Sequence, residues 1–299
     1  MDFRRQRPSP ETLRWVEQVA GARVVAWRRL TGGIVSVVHR LTVEQDGHRH
    51  QLVLRQLEGP TERHRTMLNR EAATLDGLRA SGLAAPELVG ICADGAATGS
   101  RPSLLMTRLP GRIDLMPDDR DFWLRQIART AASIHHAPVS APAFQGWIDR
   151  AELAVPRSAT DTRAWRTMSR VLRKHSRQAE SCFTHGDFQH FNFLWLRSRL
   201  TGVVDWAMAS TGPPDLDVGH CRLNLAVLFG ADVAEKFRLA YEAEAGRTVD
   251  PWLDLHAIAA YNDQWRQFIP VQVADRALVD TAGMTGRVED LLHSTLRRL

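Results

Sequence analysis

Lysine is nearly missing from this 299-residue sequence. Of its 39 basic residues only Lys174 and Lys236 are lysines, and arginine supplies the rest, the mark of a coding bias. Cysteine is scarce too. Cys92, Cys182 and Cys221 stand far apart and make no metal-ligand spacing, which excludes a disulfide scaffold and points to reduced thiols in a cytoplasmic protein. No apolar run approaches the ~20 residues of a membrane-spanning helix, so no membrane partner is expected. The opening stretch, 1–14, is charged and lacks an apolar core, so no secretory signal is expected. Internal repeats and low-complexity segments are lacking as well.

What is present is ordinary for a globular chain. Hydrophobic residues make up 44% and charged residues 24%, enough for one large domain or two modest ones and incompatible with a disordered or collagen-like chain. The formal net charge is +5. No nucleic-acid motif accompanies the arginines, and the densest basic run, 163–177, has the spacing of a solvated helix face, so no nucleic-acid partner is expected.

Residues 1–108 read as a sheet with one helix. Two-residue alternation marks strands around 23–27, 35–43 and 51–56, and the Asp-Gly turn at Asp46-Gly47 closes the last two into a hairpin. Met67, Leu68, Glu71, Leu75 and Leu78 predict a helix over 62–80, ended by Ser81-Gly82 and Pro86. Segments 87–93 and 103–108 are two further strands. From 109 to 299 the pattern is helical, over 118–136, 159–179, 215–229, 231–246, 252–268 and 285–298, with a short strand pair at 193–196 and 202–205. The expected fold class is therefore α+β, with a small β-rich lobe (1–108) and a larger, mostly helical lobe (109–299).

The chemistry is concentrated in 184–206. Asp187 and Asn192 flank a tight loop leading into a strand, and Asp205 ends the next apolar strand, so a hairpin brings the three together at one end. Phosphoryl transfer needs such a set: one carboxylate for the attacking hydroxyl, and an amide and a second carboxylate for Mg²⁺, which prefers hard oxygen ligands. His190 and His220, without a cysteine or carboxylate cluster, make no zinc site.

This stretch, His185-Gly186-Asp187 with Asn192 five residues on and Val204-Asp205-Trp206 after it, resembles the signature of the aminoglycoside phosphotransferase family, a branch of the protein-kinase-like fold. The resemblance covers about residues 20 to 270 and implies a two-lobed fold with nucleotide between the lobes. It implies that Asp187 is the catalytic residue, that Asn192 and Asp205 hold Mg²⁺, that His185 supports the loop, and that Asp217 braces the loop or caps a helix. Leu30–Ser36 resembles the family's nucleotide-covering loop, where Gly32, Gly33 and Ser36 meet phosphate. Leu104–Gly111 resembles the hinge, which places Met106, Thr107 and Leu109 at the nucleotide, with the backbone of Thr107 and Leu109 at the adenine edge; taken alone, Met106 and Leu109 read as core residues. No lysine precedes Lys174, so Arg55 takes the place of the usual phosphate-gripping lysine, with Glu71 on the following helix as its partner. Gly186 stands where protein kinases carry arginine, and no D-F-G or A-P-E follows.

The activity so implied is transfer of the γ-phosphate of ATP (or GTP) to a hydroxyl of a small molecule. The acceptor is an aminoglycoside-type antibiotic, which makes the protein a resistance enzyme, or else a macrolide, a choline-like amino alcohol, homoserine or methylthioribose. A non-catalytic pseudokinase is the alternative from another class, and the chain is a monomer or a homodimer. Segment 206–270 holds nine acids against five bases, which predicts an acidic pocket for a cationic acceptor. Asp263 is its candidate centre, with Tyr261 and Trp265 on the same helix face to stack on a ring.

Overall fold

Ser9 opens the first helix: its hydroxyl accepts from Thr12 N at 3.2 Å, Pro10 occupies the first turn, and Gly21 closes it at φ +61. The computed structural model describes residues 7–31, 35–174, 179–274 and 276–299, so Gly32 and Gly33 lie outside the described residues. Helix α1 (Pro10–Ala20) is not among the expected elements, although Ser9-Pro10-Glu11 and Gly21 signal it. The first segment thus carries two helices rather than one.

The chain divides into two compact units, one comprising residues up to Pro110 together with Gly202–Met208, the other Gly111–Thr201 and Ala209–Leu299. In the first unit, β1 (Arg23–Leu30), β2 (Val37–Gln45), β3 (His48–Gln56), β4 (Leu88–Cys92) and β5 (Ser103–Thr107) form an antiparallel sheet of order β1-β2-β3-β5-β4. Asp46 and Gly47 sit at φ +52 and +77, the left-handed pair that a two-residue hairpin needs, and set Gln45 opposite His48. Trp15 and Val16 of α1 pack with Leu41, Val43, Leu52, Leu54 and Leu105. Helix α2 (Glu62–Leu78) starts at Thr61, whose hydroxyl accepts from His64 N, and buries Leu68, Glu71, Leu75 and Leu78. The segment Gly202–Met208 is tied in by a bond from Val203 N to Ala84 O, 2.9 Å.

The second unit is built on α3 (Arg120–His135), α4 (Thr162–Lys174), α5 (Pro214–Phe229), α6 (Ala231–Ala245), α7 (Pro251–Ile258), α8 (Trp265–Val273) and α9 (Met284–Leu296). Thirteen of the sixteen residues of α5 are buried, which makes it the central helix. At Gly219 it lies so close to α7 that an added Cβ would meet Ala257 Cβ at 2.8 Å. Strands β6 (Cys182–Thr184) and β9 (Ser210–Gly212) pair antiparallel, and β7 (Phe193–Leu196) turns at Arg197–Ser198 into β8 (Arg199–Val203), whose last two residues are counted in the first unit. The overall class is α+β, as expected from the pattern.

One expected helix, 252–268, is two helices, α7 and α8. The reason is local. Asn262 Oδ1 accepts from Gln264 N at 2.9 Å, and the Asp263 carboxylate accepts from Arg157 N at 2.8 Å and Ser158 N at 3.0 Å. Side-chain bonds of this kind compete with the helical ladder. Asp263, Tyr261 and Trp265 therefore do not share a helix face. Among the described residues no helix is long and apolar enough to cross a membrane.

Candidate active site

Strand β6 delivers the chain to a loop that must reverse sharply, and Gly186 makes the turn at φ +78. The loop is pinned from beneath. The buried Asp217 carboxylate, in the first turn of α5, accepts from His185 N at 2.7 Å and Gly186 N at 2.9 Å. Behind it, His135 Nε2 lies 3.4 Å from Asp217 Oδ2, and His135 Nδ1 pairs with Tyr241 Oη at 2.9 Å. His185, fully buried, accepts from Asp187 N through Nδ1 at 3.2 Å.

These bonds present the Asp187 side chain. Its Oδ1 accepts from Gln189 Nε2 at 2.7 Å and from His220 Nε2 at 3.0 Å; its Oδ2 accepts from Asn192 Nδ2 at 3.1 Å. Burial pushes the Asp187 carboxyl up, but the hydrogen bond and charge of His220, the charge of His185 and the Gln189 bond together hold it below its ordinary value. It is thus ionised and weakly basic, suited to orienting a hydroxyl. Asn192 also donates to Asp187 O at 2.8 Å. With its nitrogen so engaged, its carbonyl oxygen is the atom left for a cation, which fits a Mg²⁺ ligand. Gln189 and His220 were not singled out as partners of Asp187. Nothing local marks His220, which lies 33 residues downstream.

The first unit holds the other charged cluster. Arg55, on β3, donates through Nη1 to both oxygens of Glu71, at 3.1 and 3.0 Å, and to Asp205 Oδ1 at 2.6 Å. Arg55 and Glu71 are buried, whereas the Asp205 side chain is 41% exposed. Burial, with the charge of Asp205, raises the Glu71 carboxyl above its ordinary value against the opposing pull of Arg55. Burial lowers the Arg55 guanidinium, and Asp205 and Glu71 more than offset that, so it stays charged. One cation thus serves two carboxylates. Asp205 sits at φ +67, a left-handed conformation costly for a non-glycine residue, and its second oxygen is available to a hard cation. Ser36 is buried just before β2, and Met106 is buried in β5. Thr107 N is spent on Glu87 O at 2.9 Å and the Thr107 hydroxyl accepts from Glu87 N at 2.9 Å, so the Thr107 amide is closed to a ligand; Leu109, two residues on, is half-buried.

The acidic wall expected over 206–270 does not form. Eight of its nine acids are engaged within the second unit. Asp215 pairs with Arg247, Asp217 braces the loop, and Glu235 and Glu242 pair with Arg238. Glu244 meets Arg129, Asp250 caps α7 at Trp252 N, and Asp254 meets Arg222 and Arg298. Asp263 holds Arg157 N, Ser158 N and the Ser158 hydroxyl, which also keeps its carboxyl below the ordinary value. Tyr261 is 2% exposed with its hydroxyl on Thr285, and Trp265 is 7% exposed, so both rings are core rather than stacking surfaces. Net charge over a segment misleads when the acids face inward toward arginines.

Solved structures share this fold. A thermostable variant of aminoglycoside phosphotransferase APH(4)-Ia, in ternary complex with ADP and hygromycin B, is 18% identical, with a TM-score of 0.62 over 95% of this chain and 98% of that one. ADP-bound aminoglycoside phosphotransferase APH(2'')-Ib is 16% identical, with a TM-score of 0.54 over 96% and 97%. Macrolide 2'-phosphotransferase MphH from Brachybacterium faecium is 19% identical, with a TM-score of 0.53 over 96% and 98%. No curated protein matches the sequence. The model of the phosphotransferase enzyme family matches residues 26–257, which takes in both the Arg55 cluster and the Asp187 loop. The chain belongs to the phosphotransferase enzyme family.

Proposed function

We propose that this phosphotransferase moves the γ-phosphate of ATP (or GTP) onto a hydroxyl of a small molecule, with Asp187 as the catalytic residue. The observation that carries the reading is the Asp187–Asn192 arrangement: a half-buried, ionised carboxylate with one oxygen still able to accept, beside an amide whose carbonyl oxygen is left over. Asp187 accepts a hydrogen bond from the acceptor hydroxyl, aligns its oxygen for in-line attack, and takes the proton as the phosphoryl group is transferred. A weakly basic carboxylate suffices because the transition state is loose and the hydroxyl proton leaves late.

Asn192 and Asp205 are the proposed Mg²⁺ ligands; the ion, when bound with nucleotide, neutralises charge on the phosphates. Arg55, ordered by Glu71, supplies the positive charge for the nucleotide phosphates, and its planar fork replaces a point-charge lysine. Gly32, Gly33 and Ser36 are proposed for the phosphate loop. The Thr107 carbonyl and the Leu109 amide are proposed for the adenine edge. Aminoglycosides and macrolides, the acceptors named for the structural neighbours, are the first classes to try, in a cytoplasmic enzyme that is a monomer or a homodimer. The test is ADP release with MgATP and MgGTP against hygromycin B, kanamycin, erythromycin and choline. Acceptor-dependent release that Asp187→Asn abolishes supports the proposal. Acceptor-dependent release that survives Asp187→Asn refutes the assignment of Asp187.

A further inference from the structure

A carboxylate oxygen offers two in-plane lone pairs. On Asp187 Oδ1 both are taken, by Gln189 Nε2 at 2.7 Å and His220 Nε2 at 3.0 Å. On Oδ2 one is taken, by Asn192 Nδ2 at 3.1 Å. Oδ2 is therefore the oxygen that retains a lone pair for the acceptor hydroxyl. Which oxygen that is depends on the rotation of the carboxylate, and the three donors fix it unequally. Gln189 and Asn192 belong to the same loop as Asp187 and move with it. His220 comes from α5, the buried central helix, and is the tie to a separate element.

The imidazole is itself held. Its ring packs against Trp147, centroids 4.9 Å apart at 41°. Trp147 in turn meets Phe144 edge-on at 5.1 Å. Phe144 N donates to Thr211 O at 2.9 Å, and Thr211 N to Pro142 O at 2.8 Å, which anchors the 142–147 segment to β9. Asp187 Oδ1 at 3.0 Å is the shorter of two contacts on Nε2, Asn224 Nδ2 lying 3.3 Å away with its donation at 3.0 Å going to His220 O; because a carboxylate only accepts, Nε2 carries the proton of the bond to Asp187.

We propose that His220 is the positioning residue that fixes the rotation of the Asp187 carboxylate and so dedicates Oδ2 to the acceptor hydroxyl, with Trp147 as the platform that sets the imidazole. The proposal rests on Asp187 being the acceptor-side carboxylate. Its logic is one of geometry: a misplacement of about 1 Å at a reacting group costs on the order of 10²-fold in rate.

The test compares His220→Ala and His220→Gln in the full chain, by crystal structures and by ADP release with MgATP and water as the acceptor, so that the natural acceptor need not be known. In His220→Ala the Asp187 carboxylate should rotate or split into two orientations. The kcat should fall about 10- to 100-fold while the KM for MgATP stays within about two-fold. His220→Gln, which restores an N–H, should recover to within about five-fold of the parent. Trp147→Leu should lower kcat, and combining it with His220→Ala should add no further loss, because both act through one bond. An unchanged Asp187 orientation in His220→Ala, a parental kcat, or a rise in KM in place of the fall in kcat overturns the proposal. So does His220→Gln as slow as His220→Ala. Failure of the underlying reading looks different: Asp187→Asn would then keep the parental rate.

Discussion

Asp217→Asn is the sharpest test of how the loop that carries Asp187 is held. Each oxygen of the Asp217 carboxylate takes one loop amide, His185 N at 2.7 Å and Gly186 N at 2.9 Å, and the side chain is fully buried. Asparagine keeps the shape but has one oxygen. Whichever way the amide is turned, its NH₂ faces a backbone N–H, donor against donor. A charge-assisted bond is lost, about 1.5–3 kcal/mol, and a buried donor is left unsatisfied, a further ~1–3 kcal/mol. Relief of the buried charge offsets part of this, so the net loss is about 2–4 kcal/mol. At roughly 2–4 °C per kcal/mol for a chain of this size, Tm should fall by roughly 5–15 °C. Calorimetry with and without MgATP is the assay. The kcat should fall as well, since Gly186 adjoins Asp187. A variant melting within about 1 °C of the parent, with parental kcat, refutes the account of the brace.

Three further outcomes follow from other parts of the structure. Arg55→Ala leaves Glu71 buried without its cation, so it should lower Tm and raise the KM for MgATP; Arg55→Lys should recover only part of the KM, which steady-state kinetics will show. Asp263→Asn removes a bond from the caps on Arg157 and Ser158, so it should cost about 1–2 kcal/mol in urea denaturation while leaving the acceptor KM and its salt dependence unchanged. Burial and the charge of Arg150 pull the His256 imidazole from 6.5 down to about 4. The unfolded chain therefore binds the proton first: this contribution is complete above pH 6.5 and is lost as the pH falls toward 4, at most about 3 kcal/mol, and His256→Gln should flatten Tm across that window.

The sequence makes some elements legible and hides others for physical reasons. Asp46-Gly47 announces its hairpin because few residue pairs tolerate two positive φ angles. The loop from His185 to Asn192 is legible because its residues are close in the chain and their types are those the proposed chemistry needs. The helix α1 was readable from Ser9, Pro10 and Gly21 but has too short an apolar pattern to stand out. The break between α7 and α8 depends on Asp263 reaching Arg157 and Ser158, 106 and 105 residues away, which no local pattern contains. The same holds for His220 beside Asp187 and for the arginines that absorb the acids of 206–270. Local chemistry shows in the sequence; pairings across the fold do not.

The central claim is tested most directly by following the label from γ-³²P-ATP. Incubated with the acceptor panel and Mg²⁺, the parent protein should place label on a hydroxyl of one small molecule, identified by mass spectrometry, and Asp187→Asn should slow that transfer by about 10²–10⁴-fold with nucleotide affinity nearly intact. Label released only as inorganic phosphate with every acceptor, or transfer unchanged in Asp187→Asn, would contradict it.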